Sequence, residues 1–204
     1  MIVAAIAVGY LIGMFPTADI VARLASNGTV DLRRSGSGNP GGMNAAQVLG
    51  AQFGIAVIAG DIGKGVIACV AGRALAGGDG ACWAGTAAVI GHCFPVWNGF
   101  RGGKGVAASV GQCLATFPAY FPIDLAVAVL TAVRKRRAFT ATTASSMVWI
   151  ACAALWWARH LPNAWGPRPN AALLWSTVAS SAVIFYKFWD AERPRHGAST
   201  EVNP

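Results

Sequence analysis

The sequence predicts an all-α integral membrane protein with seven transmembrane helices, an outer N-terminus and a cytoplasmic C-terminus. Hydrophobic residues make up 55% of the 204-residue chain and charged residues only 12%, whereas soluble domains carry about a quarter charged residues. Several apolar stretches reach the roughly 20 residues needed to cross a hydrocarbon core. The length allows a single transmembrane domain, residues 1–204. The formal net charge of +8 is then explained by basic residues at the inner membrane face, and no nucleic acid is expected as a partner.

The first apolar stretch, residues 2–24, is predicted to be a retained helix. A secretory signal carries basic residues before its apolar part, and the first basic residue here is Arg23. A second helix is predicted at residues 53–75. The turn signal at residues 77–80 (GGDG) leads to a third helix at residues 81–97.

Residues 106–133 could form one helix or two. Pro118 and Pro122 favour two, because proline removes a backbone donor and clashes with the preceding turn. Two short helices also bring the basic run 134–137 (RKRR) to the face of the earlier polar loops, in line with the positive-inside rule. Two more helices are predicted at residues 139–158 and 170–188, before a polar tail. Tryptophans near the outer ends of these helices indicate an interfacial belt: Trp149, Trp156, Trp157, Trp165 and Trp175.

Seven spans with an outer N-terminus place four polar segments on the cytoplasmic face. These segments are residues 25–52, 98–105 and 134–138 and the C-terminal tail. The serine loop (residues 31–44) and the glycine-lysine loop (residues 94–105) are therefore predicted to meet there, at the inner leaflet of the plasma membrane.

The glycine-lysine loop has the composition of a phosphate site. Its glycines let the backbone approach a ligand and turn N–H groups toward it. The next helix begins with its positive dipole end facing the loop, and Lys104 adds a full charge. The alternative, a glycine turn with basic residues at a lipid interface, is equally open on this stretch alone.

Three further groups are candidates on the same face. The small residues 35–39 could aim N–H groups at an anion, and their loop could instead be merely flexible. Asp61 and Lys64 share a helical face, either as a mutual ion pair or with Lys64 binding phosphate and Asp61 orienting it. His92 is interpreted as a buried polar residue rather than a substrate donor.

Other chemistries lack their signatures in this sequence. Five cysteines lie singly, so neither a disulfide framework nor a metal site is indicated, and they are expected to be small core residues. Neither a nucleophile elbow nor a Walker A loop is present. No cofactor is expected.

Four blocks together resemble the bacterial acyl-phosphate:glycerol-3-phosphate acyltransferases. They are residues 36–44 (GSGNPGGMN), 60–65 (GDIGKG), 91–96 (GHCFPV) and 100–107 (FRGGKGVA). Residues 10–13 and 31–33 fit the opening of that family as well, so the resemblance covers about residues 8 to 110.

The resemblance implies a seven-helix membrane enzyme that moves an acyl group from acyl phosphate to the 1-hydroxyl of glycerol 3-phosphate, without a metal. It implies Ser37 and Lys104 as catalytic residues. Substrate or phosphate binding is expected of Gly36, Gly38, Asn39, Gly41, Asn44, Lys64, His92, Gly102, Gly103 and Ser146. Supporting roles are expected of Arg33, Asp61 and Arg101. Membrane lipid is the expected surrounding, and the sequence leaves the oligomeric state open.

The sequence also departs from the family pattern. Met43 stands where the family has threonine, and Gln47 where it has an arginine suited to clamp phosphate. Phe188 and Ala191 replace the histidine and asparagine of a C-terminal block, and residues 143–146 (TASS) fit a paired serine motif loosely. These departures leave two alternatives: a catalytically degenerate paralogue that binds phosphorylated lipid or glycerol phosphate, and a transporter for a small phosphate compound.

Overall fold

The computed structural model describes residues 1–135 and 138–192, and helices joined by turns and loops make up this part of the chain. Four helical stretches in it are long and apolar enough to cross a membrane: Ile2–Ser26, Ala51–Asn98, Ala138–Arg159 and Ala171–Glu192. The helices in chain order are α1 (Ile2–Gly13), α2 (Thr17–Ser26), α3 (Gly42–Leu49), α4 (Ala51–Cys93), α5 (Val106–Thr116), α6 (Phe121–Lys135), α7 (Ala138–Arg159) and α8 (Ala171–Glu192). The predicted all-α class is confirmed.

The first predicted helix is divided in two. α1 ends at Gly13 and α2 begins at Thr17. Pro16 lies at the junction, where its ring and missing N–H prevent a continuous helix. At the break the Phe15 carbonyl accepts hydrogen bonds from the Thr17 N–H at 3.0 Å and from the Lys64 ammonium at 3.2 Å.

α4 is a helical hairpin. In a straight helix Asp61 and His92 would lie about 46 Å apart, at 1.5 Å per residue, yet their side chains are 3.4 Å apart. The chain reverses at Ala76 and Gly77, whose backbone angles are non-helical. The hairpin thus contains the second and third predicted helices, with a tighter turn than the GGDG signal suggested.

The two-helix interpretation of residues 106–133 is confirmed. α5 ends at Thr116, and α6 begins at Phe121 after a buried turn around Pro118. Phe117 and Tyr120 in this turn are fully buried and their rings stack 5.4 Å apart. Pro122 falls in the first turn of α6, where the missing donor costs little.

The bundle has two distinct ends. At one end, Arg73 donates to the carbonyl of Trp165 at 3.2 Å, and Asn170 donates to Asp79 at 2.6 Å. The serine loop and the glycine-lysine loop meet at the other end, where Arg33 donates to the Arg101 carbonyl at 3.4 Å. The predicted meeting of the two loops is therefore observed.

Three details differ from the sequence-based expectation. α3 lies within the segment expected to be a loop. Trp149 is only 5% exposed and packs in a core cluster with Cys113 and Phe117, so its assignment to an interfacial belt was wrong. α8 continues to Glu192, beyond the end predicted at residue 188 and into the segment expected to be a polar tail.

Some expectations fall outside the described part of the chain. Arg136, Arg137 and residues 193–204 lie beyond it, so the placement of the basic run and of the tail stays a prediction. Among the cysteines, Cys69, Cys82, Cys93 and Cys113 are buried as expected of core residues, and Cys152 is half-buried.

Candidate active site

A cleft opens where the two loops meet the open end of the α4 hairpin. It encloses about 280 Å³ of space, part of it continuous with the exterior. Its walls come from the α1–α2 break, both arms of α4, Arg33 of the serine loop and the glycine-lysine loop. The charged and aromatic side chains in its lining are Phe15, Asp19, Arg33, Asp61, Lys64, His92 and Trp97.

Three ionisable side chains of α4 form the floor of this cleft. Lys64 Nζ lies 2.8 Å from Asp61 Oδ1, and His92 Nδ1 lies 3.4 Å from the same oxygen. Lys64 also donates to the Phe15 carbonyl at 3.2 Å. All three side chains are buried. The predicted ion pair is thus present, and it orients a histidine as well as a lysine.

Gly102 and Gly103 act differently from the expected N–H cradle. Their N–H groups donate to the carbonyls of Cys93 and His92 at 3.0 and 3.1 Å, so neither is free for a phosphate. A Cβ on Gly103 would overlap the His92 imidazole, and one on Gly102 would overlap the His92 carbonyl. These glycines are therefore needed for close packing, because any side chain would push His92 away.

Arg33 ties the serine loop to the rest of the site. Its guanidinium forms a two-pronged ion pair with Asp19, with Nη2 at 3.0 Å from Oδ2. Its Nε donates to the Arg101 carbonyl, and its charge lies 6.0 Å from the Trp97 ring centroid. Arg33 thus joins α2 to the glycine-lysine loop, and Arg101 contributes through its backbone carbonyl.

Asn44 shapes the serine loop from inside. Its amide donates to the carbonyls of Leu32 and Ser35 at 2.9 and 3.0 Å, and its oxygen accepts the Ser37 N–H at 2.8 Å. Gly36 has no room for a side chain beside Asn44. All three hydrogen bonds of Asn44 are made within the serine loop, so this side chain fixes the shape of the loop. The Ser37 N–H is paired with Asn44 and is not available to an anion.

Lys104 lies outside the lining of the cleft. Its ammonium sits 4.3 Å from the centroid of Phe188, which is buried in an apolar cluster with Val89 and Ile184. Burial lowers the pKa of Lys104 from its ordinary value, while Glu192 opposes this shift and Lys187 adds to it.

The remaining predicted residues are dispersed around this centre. Ser37 is exposed, and Asn39 and Gly41 are half-exposed next to Pro40, which reaches the cleft. Gly38 has a left-handed backbone. Ser146 lines a separate cavity between α5, α6 and α7. Of the departures from the family pattern, Met43, Gln47 and Ala191 are exposed.

Sequence reasoning missed Asp19, Trp97 and the Phe15 carbonyl. Asp19 carried a usable signal, since a carboxylate in a predicted membrane helix needs a partner. The carbonyl carried none, because its role depends on the break at Pro16.

Comparison with known proteins gives a consistent result. Residues 3–193 match the family model described as Glycerol-3-phosphate acyltransferase. A glycerol-3-phosphate acyltransferase of Thermoanaerobacter sp. (strain X514) is 38% identical over 96% of this chain and 92% of its own length. One from Pseudomonas paraeruginosa (strain DSM 24068 / PA7) is 42% identical over 60% of this chain and 64% of its own length.

A similar fold is found among solved structures. The crystal structure of PlsY, an integral membrane glycerol 3-phosphate acyltransferase, in its glycerol 3-phosphate form aligns with a TM-score of 0.76. The identity is 28%, and the alignment covers 93% of this chain and 88% of that one. The lysophosphatidic acid form of PlsY aligns with a TM-score of 0.75.

Proposed function

This chain belongs to the glycerol-3-phosphate acyltransferase family, and from that premise we propose that it transfers an acyl group from acyl phosphate to the 1-hydroxyl of glycerol 3-phosphate. The products are lysophosphatidate and inorganic phosphate, the first as an intermediate for phospholipid synthesis. Its relatives are named for the acceptor, glycerol 3-phosphate. Acyl phosphate as the donor is our inference from the four sequence blocks.

The chemistry asks for positioning and charge more than for a strong nucleophile. The hydroxyl oxygen attacks the acyl carbonyl carbon, and the bond between that carbon and the phosphate oxygen breaks. The phosphate leaves with the electron pair and takes up the hydroxyl proton. Because phosphate is a good leaving group, holding the two substrates together and stabilising negative charge supply much of the rate. In this proposal Lys104 binds phosphate, Ser37 contacts the reacting groups, and the acyl tail lies on the membrane side.

The meeting of the two loops is the observation that carries this proposal. Arg33 bonds the glycine-lysine loop and pairs with Asp19, and it lines a cleft together with Lys64 and His92. Cationic and neutral donors thus surround a space open to the exterior, next to apolar helices. An anionic acceptor from water and an acyl donor from lipid can meet there.

The membrane arrangement belongs to the same proposal. Seven crossings follow when the two arms of α4 and the short helices α5 and α6 are each counted as one. α1 runs parallel to the second arm of α4, since Gly9 packs on Ala84 and Gly13 on Ala88. The N-terminus then lies at the end of the α4 reversal, away from the cleft. We assign the cleft to the cytoplasmic face of the plasma membrane.

Turnover by the purified chain tests the proposal. Full-length protein in proteoliposomes, given palmitoyl phosphate and labelled glycerol 3-phosphate, is expected to produce lysophosphatidate and phosphate in equal amounts. Palmitoyl-CoA is expected to give no product. Lys104→Ala should lose at least about a hundredfold in kcat/KM, the loss typical for a group that stabilises charge in the transition state.

A second lysine offers the matched control. Lys187 also lies over an aromatic ring, with its ammonium 5.0 Å from the centroid of Phe94. Lys187→Ala should retain most of the activity. Absence of product under conditions in which the Thermoanaerobacter relative works would reject the proposed reaction.

The degenerate paralogue remains the second candidate, because a specific feature favours it. Phe188 fills an apolar cluster at the position where the family pattern has histidine, and exposed Gln47 brings no charge. This candidate predicts that glycerol 3-phosphate binds without being acylated. Isothermal titration beside the turnover assay separates the two, and uptake into sealed proteoliposomes would identify the transporter instead.

A further inference from the structure

A second cavity lies between α5, α6 and α7, apart from the cleft. It comprises about 520 Å³ of space, part of it continuous with the exterior. One side of its lining is apolar and the other carries a carboxylate and hydroxyls. The apolar members are Val106, Val110, Cys113, Ala141 and the Trp149 ring, and the polar members are Ser109, Asp124, Thr142, Ser145 and Ser146.

Asp124 is the first unusual feature of this cavity. Its Oδ1 accepts hydrogen bonds from the hydroxyls of Ser145 and, at 3.5 Å, Tyr120. Among the described side chains, no cation lies within ion-pair distance of it, and Oδ2 has no hydrogen-bond donor. A carboxylate between transmembrane helices is costly and usually faces a functional partner.

Trp149 is the second unusual feature, and it is independent of the first. Its indole is 5% exposed, and its N–H has no acceptor among the described residues. A buried donor left without a partner costs free energy, so tryptophan N–H groups in cores normally find one. Trp149 lies one helical turn after Ser145, on the same face of α7. Trp149 and Asp124 both line the cavity, the first from α7 and the second from α6.

The rest of the cavity leads back toward the proposed phosphate site. Val106 begins α5 two residues after Lys104, and Val110 and Cys113 follow along the same helix. The opposite wall runs along α7 from Ala141 to Trp149. A chain attached to a phosphate at Lys104 could lie against these apolar walls and bring its inner carbons to Asp124 and Trp149.

We propose that this cavity holds the acyl chain of the donor, and that Asp124 and Trp149 select a chain that carries a hydroxyl group. Such a hydroxyl accepts a hydrogen bond from the Trp149 N–H and donates one to the Asp124 carboxylate. The inference rests on the proposed acyl transfer, and it specifies the class of acyl donor.

A plain alkyl chain in the same place would leave the Trp149 N–H without an acceptor and would give Asp124 no partner beyond the Ser145 and Tyr120 hydroxyls. Such a chain would displace water from Asp124 and offer no acceptor to Trp149. Buried polar groups left unpaired are the main source of discrimination between substrate analogues that differ by one hydroxyl. A keto group would satisfy Trp149 alone. We therefore expect kcat/KM to be highest for a hydroxylated donor, lower for a keto donor and lowest for a plain alkyl donor.

A series of donors tests the selection. Full-length protein in proteoliposomes is assayed with palmitoyl phosphate and with hexadecanoyl phosphates that carry one hydroxyl at successive carbons. We expect one window of positions at which kcat/KM exceeds that of palmitoyl phosphate by about tenfold, a modest part of the range seen for hydroxyl recognition. Trp149→Phe and Asp124→Asn should each bring this ratio close to one.

Trp156 supplies the matched control on the same helix. Its N–H already donates to the Pro162 carbonyl, so Trp156→Phe should keep the preference. Equal rates for all donors, or a preference that survives in Trp149→Phe, would overturn the inference.

A binding measurement separates this inference from the proposed reaction. Labelled hydroxyhexadecanoate and palmitate are titrated against wild type and Trp149→Phe in the same proteoliposomes. If the hydroxylated acid binds more tightly than palmitate to wild type but not to Trp149→Phe, and no donor is turned over, the proposed reaction is rejected and the cavity assignment stands. Equal binding of the two acids would remove the cavity assignment, whatever the turnover.

Discussion

Gly103 shows how a single residue without a side chain controls the site. Its backbone lies against the His92 imidazole, which also contacts Asp61. Glycine at position 103 is therefore needed to place His92. The GGKG sequence resembles a phosphate-binding loop, but its first two N–H groups donate to carbonyls of the protein itself. The first turn of α5 supplies further amide donors, because the first turn of a helix leaves N–H groups unpaired.

Gly103→Ala should lower kcat/KM by about tenfold to a hundredfold, because a displacement of His92 by about 1 Å is enough for such a loss. The measurement is the turnover assay with purified protein. Gly63→Ala is the control, since a Cβ at that α4 position meets open space and alanine favours a helix. Equal activity in both variants would contradict the role assigned to Gly103.

The pH dependence of phosphate binding should report Lys104. Burial lowers the pKa of Lys104, so its ammonium is lost at a lower pH than that of an exposed lysine. Phosphate affinity is present below this pKa and declines as pH rises through it, and KM for the phosphate substrate should rise on the alkaline side. Lys104→Arg should remove the alkaline rise, because a guanidinium stays charged throughout. A rise that is unchanged in this variant would assign it to another group.

At the scale of elements, α1 and the second arm of α4 pack without side chains between them. Gly9 and Gly13 lie directly on the backbones of Ala84 and Ala88. Small residues at such spacing let transmembrane helices approach closely. The same contact fixes the direction of α1 and places Met14 and Phe15 at the cleft.

Gly13→Val should destabilise the protein, because a side chain here would overlap the Ala88 backbone. Overpacking typically costs about 1–3 kcal/mol, which corresponds to a fall in Tm of several degrees for a chain of this size. Thermal unfolding in detergent measures the change, with Gly63→Val as the control for valine in a helix. A Tm equal to that of the control would show that the helices can separate without cost.

A buried polar network joins three elements. The Gln112 side chain of α5 donates to Thr86 of α4 at 3.2 Å and accepts from Ser180 of α8 at 2.7 Å. Thr86 also donates to the Ser176 carbonyl. Hydrogen bonds between membrane helices contribute about 0.6–2 kcal/mol each, so this network holds α5 in place behind the glycine-lysine loop.

Gln112→Met should lower the free energy of unfolding by about 1–2 kcal/mol, since it leaves two buried hydroxyls with fewer partners. Denaturation in mixed micelles gives the value. Gln52→Met, at an exposed position of α4, is the matched control and should change little. If both variants unfold alike, the network adds no stability.

At the scale of the whole molecule, the two ends of the bundle have different chemistry. One end carries the cleft and the two loops, and the other carries the α4 reversal, Arg73 and Trp165. The proposed orientation puts the first end in the cytoplasm, where glycerol 3-phosphate would be supplied.

Labelling from each side of the membrane tests this orientation. Arg34→Cys and Arg168→Cys both introduce a thiol at an exposed position, and a Cys152→Ala background removes the half-buried cysteine. A membrane-impermeant maleimide should modify position 168 in intact spheroplasts and position 34 only in inverted vesicles. Modification of both from the same side would refute the seven-span arrangement.

Local patterns in the sequence determined the helical class, the break at Pro118 and the face shared by Asp61 and Lys64. These features depend on composition, on the spacing of apolar residues and on prolines that interrupt a helix, all of which can be read along the chain. The meeting of the two loops was also predictable, because the two predicted helices between them return the chain to the same end of the bundle.

Only the tertiary structure decided which partner each polar group takes. It paired the Gly102 and Gly103 amides with the end of α4 and the Asn44 amide with its own loop. It also placed Trp149 in the core beside a cavity instead of at the membrane interface. A hydrogen bond depends on which segments meet and at what distance. Contacts between residues far apart in sequence leave no local periodicity, so they emerge only when the helices pack.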